Sequence, residues 1–159
     1  MADIEYGSAQ TWLLRIAAVL WAVWGLVHML AGVMTISQDT AGAIAGIADA
    51  VDPATLQMAY PDAAGAVINQ HGFNLFWIGL VTVLCVPFVW RGVGAAIFLA
   101  ALVGGLADVG YFIFLDLGGF VNFVPGTVMT LFSSAAVLAS FYAWFTRTRR
   151  TDAPGTSSS

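Results

Sequence analysis

Four long apolar runs divide this chain, and its polar residues gather between them. The runs cover residues 12–34, 66–90, 93–115 and 121–145, and each exceeds the roughly 18 residues that mark a membrane-span candidate. The fold class expected is all-α: one domain over 1–150, a bundle of four transmembrane helices, followed by a small polar tail at 151–159 (TDAPGTSSS) with the composition of a disordered segment. The first run is long for a cleaved signal peptide and has no clear small-x-small site after it, so it reads as a retained span.

The connections differ in kind. Residues 35–62 hold Asp39, Asp49, Asp52 and Asp62 and no basic residue. Within them Ile44, Ile47 and Val51 recur at helical spacing, with Asp39 or Thr40 available as a cap. This predicts a short amphipathic helix at the membrane surface. Asp52-Pro53 and Tyr60-Pro61 bracket a second short segment. Arg91-Gly92 is a tight turn that makes spans two and three antiparallel neighbours. Pro87 is expected to bend the end of span two. In span three, Gly92, Ala96, Ala100 and Gly104 fall on one face, with Gly94, Ala101 and Gly105 beside it, a spacing that lets helices approach closely in lipid.

Composition agrees with the pattern. Of the 159 residues, 60% are hydrophobic and 9% charged, and mean hydropathy is +0.87, whereas a soluble domain carries about a quarter charged residues. The five basic residues are Arg15, Arg91, Arg147, Arg149 and Arg150. With four spans they all fall on one side, which the positive-inside rule makes cytoplasmic. Trp12, Trp90, Tyr142 and Trp144 stand beside them as an interfacial belt. The expected location is the cell (inner) membrane, with both termini inside. A net charge of −4 without a basic face excludes nucleic acid as a partner. The single cysteine, Cys85, reads as a small buried hydrophobe, and no metal site is expected.

The candidate chemistry lies in a polar layer. Measured from the arginines at about 1.5 Å per residue, His28 lies about 20 Å up, Asn74, Asp108 and Thr130 about 25 Å, and Ser134 about 20 Å. Each span thus contributes to the outer half. Trp21 shares a helical face with Gly25, His28 and Gly32, and Tyr111 is a neighbour of Asp108 one turn on. An intramembrane carboxyl costs about 2.5–3.5 kcal/mol on insertion scales and normally faces the bundle interior with a partner, here His28.

GLVHMLAG (residues 25–32), FWIGL (76–80) and GGFVNFVPG (118–126) resemble segments of a family of small uncharacterised four-span bacterial integral membrane proteins. The resemblance implies the four-span fold and a His in the first span. It implies no activity, and the long acidic loop departs from it.

Several functions fit these residues. The expected one is binding of a hydrophobic small molecule or lipid at His28, Asn74, Asp108, Thr130, Ser134, Trp21 and Tyr111, or service as an accessory subunit in a homo-oligomer or larger membrane complex. A membrane-embedded enzyme could use His28 and Asp108 as an acid–base pair. A b-type haem could take His28 and His71 as axial ligands, although their depths differ by about 10 Å. A proton path would find only Thr82, Cys85 and Ser140 in the inner half.

Overall fold

The computed structural model describes residues 4–47 and 51–149. The expected tail at 151–159, Arg150 and Asp49 lie outside them. Four helices are long and apolar enough to cross a membrane. They are α1 (Ser8–Ser37), α3 (Asp62–Trp90), α4 (Gly94–Asp116) and α5 (Val128–Phe145). The short helix α2 (Thr40–Ile47) follows α1, and a single 3₁₀ turn spans Pro53–Leu56. α1 runs past its apolar stretch at both ends and α3 past the start of its own, because a helix continues until a breaker or cap ends it, and α4 matches its stretch to within one residue. Span four is the exception. Its opening is a π turn at Phe123–Thr127 with Val124 in an extended conformation, and the regular helix starts only at Val128. α3 passes through Pro87 and stays helical to Trp90.

The helices form a ring in which α1 touches α3 and α5, and α4 touches α3 and α5. α1 and α4 face each other on the diagonal and meet through side chains. The tightest seam joins α1 and α3. Gly25 and Gly32 lie seven residues apart on α1, as do Gly72 and Gly79 on α3. A Cβ on Gly32 would sit 2.5 Å from the Gly72 carbonyl oxygen, and one on Gly79 would sit 2.5 Å from that of Gly25. Main chain therefore meets main chain at both levels, the close approach that small residues permit where lipid tails give no hydrophobic driving force. The expected small-residue face of α4 is also present, with Ala96, Ala100 and Gly104 buried. Gly92 does not belong to that helical face. Its φ of +71° makes it the turn residue between α3 and α4, a left-handed conformation that glycine adopts freely.

The acidic loop begins as expected. The Asp39 carboxylate accepts the Gly42 N–H at 2.7 Å and caps α2. Its buried positions are Ala41 and Ala43, while Ile44 is only partly covered and Val51 is exposed. Small side chains let α2 lie close against α1, which the spacing of Ile44, Ile47 and Val51 alone did not indicate.

The arginine end of the bundle is pinned together. The Arg15 guanidinium lies 5.4 Å from the ring centroids of both Trp12 and Trp90, and that of Arg147 lies 3.2 Å from Trp144. Ile4–Glu5 pairs antiparallel with Thr148–Arg149, a two-residue ladder that joins the segments flanking α1 and α5. The Tyr6 hydroxyl donates to the Gly92 carbonyl oxygen at 2.7 Å. Burial raises the Tyr6 pKa above its ordinary 10.0, against an opposing pull from Arg147. The phenol therefore keeps its proton, and its contribution is fully present below pH 10 and lost as pH rises through the raised value. Tyr6→Phe should destabilise the protein by about 1 kcal/mol at neutral pH. The melting temperature of the two forms in detergent checks this, and equal values would show that the bond is idle.

Candidate functional site

Tryptophan on α1 builds the centre of the bundle. Trp21 and Trp24 are both fully buried, and their rings meet edge to face at 5.8 Å. They point across the ring toward α4. A Cβ on Gly104 would lie 2.6 Å from the Trp21 ring and 3.4 Å from that of Trp24, so this glycine makes the notch that the indoles fill. α4 is irregular around that notch. It changes from α to π at Ala101–Gly105, returns to α over Leu106–Tyr111, and turns π again at Phe112–Asp116. Asp108 sits in the short α stretch between the two. Single π turns inside α-helices occur often at functional sites, because the extra residue re-aims the side chains that follow.

Asp108 and His28 meet at this centre. The Trp24 indole N–H donates to Asp108 Oδ2 at 2.7 Å. The Ser133 side chain from α5 lies beside the same carboxyl, and its one hydroxyl proton can turn either to it or to the Thr130 carbonyl oxygen, 3.1 Å away. The His28 ring stacks on Trp24 with centroids 3.7 Å apart and planes 20° from parallel. Its Nδ1 lies 2.8 Å from the Trp24 carbonyl oxygen. A carbonyl only accepts, so Nδ1 carries a proton and donates it. Nε2 then faces Asp108 Oδ1 at 3.9 Å. A neutral Nε2 and a carboxylate oxygen are both acceptors, so this contact is favourable only with a proton on one of the two atoms. At that separation the two atoms are in van der Waals rather than hydrogen-bond contact, and a proton on either one would let a small movement close the gap. The Asp108 side chain is 6% exposed and that of His28 14%, so His28 is the more open edge of the cluster.

The structure gathers some of the expected residues and disperses others. Trp21, His28, Asp108 and Thr130 belong to the cluster or border it. The Trp21 N–H and the Thr130 hydroxyl are buried and find no hydrogen-bond partner among the described residues. Tyr111 lies one turn beyond Asp108, and its hydroxyl packs where a Cβ on Gly126 would be, against the bend that opens span four. Asn74 instead accepts the Trp77 indole N–H at 3.0 Å in an exposed pair on α3. Ser134 is exposed, and its neighbour Ser133 turns inward. A one-residue step is about 100° on a helix, enough to exchange the inner face for the lipid face. His71 is exposed toward the end of α3 that lies away from the arginines. Gly72 beside it packs on Thr35 and Ile36, which puts His71 about 10 Å along the bundle from His28. The two rings are thus not brought together as a ligand pair. Trp24 and Ser133 are the cluster members that the sequence reading missed. Trp24 stands one turn before His28 on its own face, and Ser133 stands three residues after Thr130, so helical spacing from these neighbours could have found both.

A second polar contact closes the end of the bundle away from the arginines. The Thr127 hydroxyl donates to Asp116 Oδ1 at 2.6 Å, tying the end of α4 to the start of span four. Above it, an apolar cavity of about 380 Å³ runs between the α2 loop and the α4–α5 turn, lined by Ile44, Leu56, Leu115 and Phe120 among others. No family model, curated protein or solved structure matches the chain. Its functional reading therefore rests on geometry.

Proposed function

We propose that this is a multi-pass protein of the cell (inner) membrane, with cytoplasmic termini, that binds a hydrophobic small molecule or lipid whose polar head meets the His28–Asp108 pair. The arginine distribution supports the orientation, which puts the pair in the outer half of the bilayer and makes α2 the interfacial helix. The observation that carries the reading is the pair itself. An imidazole beside a carboxyl, held in an apolar bundle and accessible along the His28 edge, can donate to or accept from a polar head while the apolar body stays in lipid. The wild-type protein, extracted gently and examined by native mass spectrometry, should carry a hydrophobic species that His28→Ala and Asp108→Asn lose. Identical bound species in all three forms would sink the reading.

A second reading, a membrane-embedded acid–base enzyme, draws on the same 3.9 Å contact. A His at that distance from a carboxyl can pass its proton to a bound substrate with little movement. Conversion of the retained species, rather than simple release, on incubation with wild-type but not Asp108→Asn protein would favour it.

A further inference from the structure

The arginine end of the bundle carries a separate feature. An apolar groove of about 400 Å³ lies between α3 and α4, lined by Val81, Leu84, Cys85, Phe88, Val93, Ala95, Ala96 and Leu99. The small side chains of Cys85 and Ala96 are buried and make its floor, while Leu84, Phe88, Val93 and Leu99 are exposed and make its walls. From Val81 to Phe88 it runs about 10 Å along α3, within the membrane-spanning part of both helices. It ends at the turn that carries Arg91, which is exposed. Arg15, held between Trp12 and Trp90, lies at the same end.

We propose that this groove seats an acyl chain of an anionic phospholipid whose phosphate is held by Arg91. Three observations select that occupant. The lining is wholly apolar, which suits a hydrocarbon chain and offers nothing to a polar ligand. The mouth is cationic, and a guanidinium pairs with a phosphate through two parallel N–H···O bonds. The groove opens to the lipid side of the bundle, so a bilayer lipid enters laterally without displacing a helix. The groove extends from near the level of Gly25 to the arginine end, but its lining includes no member of the His28–Asp108 cluster and it does not depend on the ligand proposed there.

The full chain, reconstituted into vesicles of equal phosphatidylglycerol and phosphatidylcholine and released into native mass spectrometry, tests the assignment. Wild type should retain phosphatidylglycerol over phosphatidylcholine by about fivefold, the factor expected of one arginine at an anionic surface. Arg91→Gln should bring the ratio toward unity, and Arg91→Lys should recover part of it. Ala95→Phe, which fills the groove from its exposed rim, should lower retention of both lipids. Glycerol phosphate should not displace the bound lipid, and His28→Ala should leave the ratio unchanged. Melting temperatures near wild type establish that the variants are folded. The proposal is overturned by equal retention of the two lipids in wild type, by a ratio that Arg91→Gln leaves intact, or by a dimer without lipid whose formation Ala95→Phe blocks.

Discussion

Replacing Gly79 with leucine is expected to lower the melting temperature of the protein in detergent by about 5–10 °C, while Gly110→Leu leaves it near the wild-type value. A Cβ at position 79 would lie 2.5 Å from the Gly25 carbonyl oxygen and 2.8 Å from the Met29 nitrogen. Both obstacles are main chain of α1, which cannot change rotamer, so α1 and α3 must move apart along the seam. Overpacking costs about 1–3 kcal/mol when side chains can adjust, and here the upper end applies because backbone must give. For a chain of this size each kcal/mol is worth roughly 2–4 °C. Gly110 is the matched control, since a Cβ there meets nothing within 4 Å. Melting of Gly79→Leu within a degree of wild type would show that the helices do not meet as described.

The second large effect belongs to Asp108. Asp108→Ala should destabilise the bundle by about 2–3 kcal/mol, and Asp108→Asn by less than about 1 kcal/mol. The reference state decides the sign. In the separated helices α4 exposes its carboxyl to lipid, at a cost of about 2.5–3.5 kcal/mol. Assembly relieves that cost by presenting the Trp24 N–H, Ser133 and His28. Alanine removes the relief and strands the Trp24 donor in an apolar core. Asparagine keeps an oxygen for that donor and gives up only the carboxyl's ability to ionise. A double-mutant cycle between Trp24→Phe and Asp108→Ala, followed by unfolding in mixed micelles, should show coupling of about 1.5–3 kcal/mol, the range for a hydrogen bond to a charged group. Strict additivity would mean that the indole and the carboxyl do not support each other.

These two expectations arise from different levels of description. His28 and Asp108 were legible as partners because each is the lone titratable group deep in its own span, and lipid leaves such groups few alternatives to each other. Their depth could be counted from the arginines, since rise per residue is constant along a helix. Depth does not give direction around the axis. Asn74 lies near the expected level yet pairs with exposed Trp77, and Ser134 turns outward while Ser133 turns in. The π segment at Ala101–Gly105 lies between Arg91 and Asp108 and shifts the phase of the helix that carries this carboxyl, so a straight 3.6-residue count drifts there. The Gly72 and Gly79 pair on α3 was hidden for another reason. A glycine seven residues from another marks a seam only when the facing helix has its own pair at the same level, and that is a property of two helices together.

What the sequence determined by itself is therefore the solvent and the frame. Long apolar runs, nine acidic and five basic side chains, and arginines confined to alternate connections specify four spans, because each follows from the cost of placing charge in hydrocarbon, summed along one segment. The tertiary structure alone decided which side chains form the site. Trp24 became the donor that holds Asp108, and His28 became a ring stacked on that indole, because α1 and α4 face each other across the ring and Gly104 leaves room for the tryptophans between them. Such contacts depend on the rotation and phase of each helix against its neighbours, and these are set by packing across the bundle rather than by any one stretch of chain.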